Sequence, residues 1–304
     1  MQYHDILRDY LRDYAIPAML EQGWTYKAAK SYGWQKAERG AGYHVDQPLR
    51  THILNGLYAL TRVLEYLKIK GYYRVSENDF KRTLVLYTLH DAYKDIELSV
   101  TRMGNSDFSV PLTALDELIE RMGLRKFVHV KAEDIRLASV SLLSPKLADL
   151  SSSSSGISHL LTLVHLADAF ASQQTARDYI TAENRLREIT GHDALTVRQD
   201  ARMSKRLGVP VQPQAVNPPL KFYYHELDDY RGLSTLLIHQ STEAVLDQFG
   251  LYPILYFANG ILYLGPESIE VNVEDLQHKI ATTLFSKIRP VSYTHLTLPT
   301  ILRV

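Results

Sequence analysis

Helical periodicity dominates the first 180 residues of the chain, where apolar residues recur at intervals of three and four and strand-like alternation is nearly absent. The pattern is clearest at 51–67, where the apolar residues form one stripe and Arg62, Glu65 and the following Lys68 lie outside it. The stripe consists of Ile53, Leu57, Leu60, Leu64 and Leu67. Further helices are predicted at 77–94, 111–122, 132–143, 157–180 and 182–189. The sequence therefore predicts a mainly α-helical domain over residues 1–190, arranged as a bundle.

The pattern changes after residue 190. The segment 191–217 is polar and then rich in proline, which predicts a linker. Beyond it the sequence predicts a strand, a helix, two strands joined by Asn259-Gly260, and another helix. An Asn-Gly pair between two apolar runs is typical of a type I′ hairpin turn. Residues 218–290 are therefore predicted to form a partial α+β domain that begins as a ferredoxin-like βαββ unit.

The last segment, 291–304, does not continue this pattern and suits neither a buried strand nor a helix. It resembles the translated adapter sequence that occurs at the ends of some assembled sequences. We therefore exclude 291–304 from the fold and expect the natural protein to be longer.

Composition narrows the chemistry that the chain can perform. Its 34 basic and 34 acidic residues give a formal net charge of zero, so any contact with nucleic acid would depend on local charge. Cysteine is absent, which excludes disulfides and thiolate chemistry and leaves His, Asp and Glu as the strong metal ligands. No stretch resembles a signal peptide or a membrane span, so we expect a cytoplasmic protein that has no membrane partner.

The dipeptide His90-Asp91 closes an apolar helical stretch, and two further residues accompany it. His52 shares a helix face with Gly56, whose small size would let another helix approach closely. Asp168 lies among apolar residues, where an unpaired carboxylate would be costly to bury. Imidazole and carboxylate ligands together suit Mn²⁺, Fe²⁺, Ni²⁺, Zn²⁺ or Mg²⁺. The pattern thus predicts a divalent metal site.

A second His-Asp dipeptide shows that the pair by itself is weak support for a site. His192-Asp193 lies in a polar stretch without an apolar helix or partner residues, and we interpret it as a loop or helix cap. There is an alternative interpretation of the first pair: His90 and Asp91, together with His52 and Asp168, are only hydrogen-bonded polar residues in a helical bundle.

The order His, His-Asp, Asp on successive helices resembles the HD phosphohydrolase superfamily. More narrowly, DQPLRTHILNGL, TLHDAYK, HLADAFAS, YYHELDDYRGLSTLLIH and LYPILYFANGILYLG are similar to the large subunit of type I-D CRISPR effector complexes. The similarity covers residues 1–290. In that family an N-terminal HD nuclease is fused to a palm-like body, which implies the same arrangement here.

The resemblance also implies roles for individual residues. The implied metal ligands are His52, His90, Asp91 and Asp168. Lys94 matches the lysine that usually follows the motif, whereas Tyr93 stands where the family has glycine. The ion would polarise a phosphodiester oxygen and lower the pKa of water, Asp91 or Asp168 would orient that water, and Lys94 would offset phosphate charge. Asp91 and Lys94 are therefore the predicted catalytic residues.

The other histidines are separate candidates. His165 precedes Asp168 by three residues, so it lies on the same helix face and is an additional candidate ligand. Structural or surface roles are expected for His44, His129 and His159. The predicted turn Ala258-Asn259-Gly260 lacks the acidic pair of catalytic palms, so we expect no cyclase or polymerase activity.

Three functions remain open on the sequence. The first is a metal-dependent DNA nuclease that cuts single-stranded or unwound DNA within a CRISPR interference complex, together with guide RNA and other effector subunits. The second is a phosphohydrolase that acts on a small nucleotide. The third is a non-catalytic assembly subunit, in which the HD fold only binds partners.

Overall fold

The computed structural model describes residues 2–25, 28–30, 47–94, 101–103, 107–109, 111–143, 156–172, 180–190, 196–198, 221–226, 235–256, 260–265 and 273–288. Over these residues the chain is mainly helical, as predicted for its N-terminal part. The chain divides into two compact units. The first comprises Met1–Gln174 and Glu188–Thr190, and the second comprises Thr175–Arg187 and Gly191–Val304.

Helices make up most of the first unit. The elements are α1 (Tyr3–Tyr10), a π-helical turn (Leu11–Ala15), α2 (Ile16–Glu21), α3 (Leu49–Ile69), α4 (Glu77–Leu89), α5 (Leu112–Arg121), α6 (Ala132–Leu143) and α7 (Ser158–Ala171). Short 3-10 helices follow α4 at Ala92–Lys94 and α5 at Leu124–Lys126. The described helices therefore follow the predicted order; α6 has the predicted limits, and the ends of the other predicted helices are shifted.

Two short antiparallel strand pairs interrupt the helices, and periodicity did not predict them. One pair joins β1 (Ala28–Lys30) to β2 (Gln47–Pro48). The other joins β3 (Thr101–Met103) to β4 (Asp107–Ser109). Strands of two or three residues are too short for an alternating pattern to appear in the sequence.

The predicted apolar stripe decides which side of α3 faces the core. All five of its residues are buried, and α3 packs against α1, α4 and α7. Burying a Leu or Ile side chain in this way contributes about 1.5–3 kcal/mol. His52 is buried on the same helix, so this packing carries it into the interior. Because α4 also packs against α7, these three helices contact one another pairwise.

The C-terminal end of α4 differs from the prediction of one helix over 77–94. The α-helix ends at Leu89, and His90 is its C-cap. The backbone N–H of His90 donates to the carbonyl of Tyr87, three residues back, which tightens the last turn. Asp91 therefore lies beyond the helix, and its carbonyl accepts a hydrogen bond from the Lys94 N–H in the following 3-10 turn.

The helix predicted over 157–180 also ends early. α7 stops at Ala171, and Ser172 is its C-cap. Residues 173–179 lie outside the described part, and α8 (Ile180–Thr190) begins after them.

The second unit contains a four-stranded sheet with helices. Its elements are β5 (Thr196–Arg198), β6 (Lys221–Glu226), α9 (Thr235–Gln248), β7 (Tyr252–Tyr256), β8 (Gly260–Gly265) and α10 (Val273–Ile288). The strand order is β5-β6-β8-β7, with β5 parallel to β6 and the other pairs antiparallel. Helix α9 packs against α10 and β7. From β6 onward the elements occur in the predicted order.

Several predicted features of this part lie outside the described residues. These are the turn at 257–259, the prolines of the predicted linker and the tail 291–304. Strand β5 forms within 191–217, the segment predicted to be a linker. Among the described residues, no helix has both the length and the apolar character needed to cross a bilayer.

Helix α4 depends on its N-cap. The Ser76 hydroxyl accepts a hydrogen bond from the backbone N–H of Asp79 at 3.1 Å. We expect Ser76→Ala to lower the free energy of unfolding by about 1 kcal/mol, because that N–H loses its partner. Urea unfolding followed by circular dichroism measures the change. Ser76→Thr is the control, since it keeps a capping hydroxyl; an equal loss in both variants would contradict this assignment.

Candidate metal centre

Three elements of the first unit bring the predicted ligands together. Helix α3 supplies His52, the end of α4 supplies His90 and Asp91, and the last turn of α7 supplies Asp168. His52, His90 and Asp91 are buried, whereas the Asp168 side chain keeps 26% of its surface exposed. The cluster therefore has one side that solvent can reach.

The reactive atoms of these residues lie within a small volume. One oxygen of Asp168, Oδ1, is 3.1 Å from His52 Nε2 and 3.7 Å from His90 Nε2. Asp91 Oδ2 is 3.5 Å from each of the two Nε2 atoms. Among the described residues, His52, His90 and Asp168 form a group whose ligand atoms all lie within 4.8 Å of one another. This buried group could hold a metal ion.

The hydrogen bonding of His90 determines which ring nitrogen can bind an ion. His90 Nδ1 contacts the backbone carbonyl oxygen of Tyr87. Because a carbonyl oxygen only accepts, Nδ1 carries the hydrogen, and the lone pair of the neutral ring is on Nε2. That Nε2 is buried, and the carboxylate oxygens Asp91 Oδ2 and Asp168 Oδ1 lie 3.5 and 3.7 Å from it, beyond the usual hydrogen-bond length. A divalent cation fits this position, since a buried nitrogen lone pair needs a partner.

Other side chains hold the two carboxylates. Lys94 Nζ donates to Asp91 Oδ2, and Tyr93 forms a hydrogen bond with the same carboxylate. The Ser172 hydroxyl donates to Asp168 Oδ1 at 3.0 Å. In the sequence, Tyr93 stood out only as a departure from a family pattern, and Ser172 was not predicted to take part in the site. Ser172 follows Asp168 by four residues, about one helical turn, and this spacing could have indicated that the two side chains are neighbours.

Burial and neighbouring charge shift the pKa of each group in the cluster. Burial lowers the pKa of His52, and the adjacent Asp168 only partly offsets it. Burial also acts to lower the pKa of His90, but Asp91 and Asp168 outweigh it, so the pKa is raised. For both carboxyl groups burial is outweighed by the nearby cationic or imidazole side chains, and each pKa is lowered. Both carboxylates therefore stay ionised near neutral pH.

The remaining histidine candidates lie apart from this group. His165 Nε2 is 2.8 Å from the Ser141 hydroxyl, and His165 does not belong to the three-residue group. His129 and His159 are exposed, as expected, and His159 lies 3.6 Å from Asp79. His44 and the second dipeptide, His192-Asp193, lie outside the described residues.

No protein-family model matches the chain, and no curated protein matches it significantly. The resemblance to HD phosphohydrolases and to CRISPR large subunits therefore stays a prediction, and the chemistry of the site rests on its own geometry.

The raised pKa of His90 predicts how ion binding depends on pH. An ion can bind Nε2 only when His90 is unprotonated, and without the ion its pKa lies above the ordinary value of 6.5. We therefore expect Mn²⁺ affinity to fall as the pH drops through this raised pKa, by about tenfold per pH unit, because one proton competes with one ion. Protonation of His52 weakens Mn²⁺ binding only at lower pH, because burial lowers the pKa of His52.

Calorimetric titration with Mn²⁺ at about pH 8 and about pH 6, in buffers of different ionisation enthalpy, measures both the affinity and the proton release. Release of a proton on binding is the expected result near the lower pH. An affinity that is the same at both pH values, without proton release, would contradict the assignment of His90 as a ligand.

Proposed function

We propose that this chain is a metal-dependent phosphohydrolase, and more narrowly a DNA nuclease. One observation carries the proposal: two imidazole Nε2 atoms and a carboxylate oxygen, supplied by separate helical elements, lie within 4.8 Å of one another in a buried position. Such a set suits a divalent ion, whereas in a purely structural polar cluster His90 Nε2 would have a partner within normal hydrogen-bond length, and the two carboxylate oxygens lie 3.5 and 3.7 Å away.

The donor set favours some ions over others. His52 and His90 offer nitrogen, Asp168 offers oxygen, and Asp91 adds a second carboxylate 3.5 Å from both nitrogens. Two imidazole ligands favour Mn²⁺, Fe²⁺, Ni²⁺ or Zn²⁺ over Mg²⁺, which prefers oxygen ligands and retained water. When bound, such an ion lowers the pKa of water and offsets negative charge on a phosphate oxygen.

The side chains around the cluster would handle the substrate. Lys94 and Asp168 keep 22% and 26% of their side-chain surface exposed, while the histidines are buried. A phosphate group would therefore approach between Lys94 and Asp168. The Lys94 ammonium group, anchored on Asp91, offsets phosphate charge there. Asp91 or Asp168 orients the attacking water as a hydrogen-bond acceptor.

We further propose that the first unit is an HD-type helical bundle and that the second is a ferredoxin-like, palm-like domain. Support for the second assignment comes from the strand order, in which β8 lies antiparallel between β6 and β7 and α9 connects β6 to β7. Support for the first comes from three helices: two of them carry His52 and Asp168, and the third ends at the His90-Asp91 pair.

The proposed setting is the large subunit of a type I-D CRISPR interference complex. In such a complex guide RNA selects the target by base pairing, and this chain would cut single-stranded or unwound DNA. The zero net charge agrees with target selection by the guide RNA, because the chain itself has no overall positive charge to attract DNA. Other effector subunits are the proposed protein partners.

Nuclease assays on the full chain test this function. The substrates are labelled single-stranded DNA and, separately, nucleoside triphosphates, each with Mn²⁺, Ni²⁺ or Mg²⁺. We expect ion-dependent DNA cleavage that falls at least about 100-fold in the variant His90→Ala/Asp91→Ala. The matched control is His192→Ala/Asp193→Ala, which removes the same dipeptide elsewhere in the sequence and should cleave like the wild type.

The other outcomes separate the alternatives. Hydrolysis of triphosphates without DNA cleavage would support a small-nucleotide phosphohydrolase. Absence of any hydrolysis by a chain that nevertheless binds the ion would favour the assembly-subunit hypothesis. Cleavage that is equal in all three proteins would contradict an active centre at His90 and Asp91.

A further inference from the structure

One buried aromatic residue, Tyr87, contacts both histidines of the cluster. Its ring stacks on the His90 ring, with centroids 4.5 Å apart and planes inclined by 15°. Its backbone carbonyl accepts the hydrogen of His90 Nδ1. Its hydroxyl donates to the backbone carbonyl of His52 at 3.3 Å. The position of each imidazole therefore depends on the same residue.

Tyr87 can occupy this place only because α3 has a glycine opposite it. A Cβ atom at Gly56 would lie 2.0 Å from the Tyr87 hydroxyl oxygen and 2.3 Å from Cζ, which is far inside van der Waals contact. Gly56 follows His52 by four residues, so the vacant volume lies one turn along from the ligand. This confirms the expectation that Gly56 permits close approach, and the group that approaches is the Tyr87 phenol.

His90 needs such support more than an ordinary helical residue does. It is the C-cap of α4, so it lies just outside the regular helix, and the 3-10 turn that follows begins at Ala92. On its own helix, the stacked ring and the carbonyl of Tyr87 are the contacts that fix the plane of the imidazole. A ligand held in one orientation before the ion arrives loses less conformational entropy on binding.

We infer that Tyr87, seated against Gly56, is the positioning residue of the metal centre and presets both imidazoles for the ion. This inference rests on the proposed metal site and extends it to two residues outside the ligand set. Tyr87 acts through the histidines and does not itself contact the ion or the substrate. The geometry thus makes metal affinity sensitive to substitution at two positions that carry no ligand atom.

Three variants of the full chain separate positioning from folding. Tyr87→Leu removes the ring and the hydroxyl, and we expect its affinity for Co²⁺ to fall by about 10- to 100-fold, as for other residues that orient metal ligands. Tyr87→Phe keeps the stacked ring and loses only the hydroxyl, so a smaller loss in the same direction is expected. Gly56→Ala displaces the phenol and should approach the loss of Tyr87→Leu.

Tyr10→Leu is the matched control. Tyr10 is also a fully buried tyrosine packed on α4, and its hydroxyl donates to Thr88 Oγ1 at 2.8 Å. No ring contact or hydrogen bond joins it to His52 or His90 among the interactions of the described residues. We expect Tyr10→Leu to lower the melting temperature of the ion-free protein and to leave Co²⁺ affinity unchanged.

The measurement is titration with Co²⁺ alone, read from its visible absorption spectrum, beside thermal unfolding of each ion-free protein. Weaker binding and an altered spectrum in the Tyr87 and Gly56 variants, with the control unaffected, is the expected result. The inference would be overturned if Tyr87→Phe and one of the other two variants, Tyr87→Leu or Gly56→Ala, bound Co²⁺ as tightly as the wild type. It would also be overturned if Tyr10→Leu lost as much Co²⁺ affinity as those variants. If the wild type and His90→Ala both fail to bind Co²⁺, the metal centre itself is wrong.

Discussion

Two imidazoles and two carboxylates share one buried space between three helices, and the first unit is arranged around that constraint. Buried charge is costly unless it is paired, so burying these groups in this fold requires them to lie close together. Distances of 3.1–3.7 Å between the Nε2 atoms and the carboxylate oxygens show that they do. The charges inside the cluster then require specific neighbours, namely Lys94 on Asp91 and Ser172 on Asp168.

The backbone around the cluster follows from the same need. Helix α4 ends at Leu89, His90 and Asp91 lie just beyond it beside His52, and the 3-10 turn that follows brings Lys94 to Asp91. Helix α3 has to lie close enough to α4 for the Tyr87 hydroxyl to reach the His52 carbonyl, which requires Gly56. Helix packing and site geometry are therefore set by the same few contacts.

Sequence patterns predicted the parts of this arrangement that depend on local periodicity. The buried stripe of α3 and the limits of α6 agree with the structure, because each reflects a run of apolar residues at helical spacing. The early end of α4 and the short strands β1 to β5 were not predicted, since tertiary contacts determine them. The grouping of His52, His90 and Asp168 was predicted from residue types, whereas the contacts of Tyr87 with both histidines depend on helix packing that no spacing reveals.

Anomalous X-ray diffraction from crystals of the full chain soaked in Mn²⁺ is the most direct test of the metal centre. We predict an anomalous peak within bonding distance of His52 Nε2, His90 Nε2 and an Asp168 carboxylate oxygen, and we expect this peak to be absent from crystals of His90→Ala. A fully occupied peak elsewhere with none at this cluster, or a cluster that stays empty at saturating Mn²⁺ while its side chains hydrogen-bond one another, would contradict it.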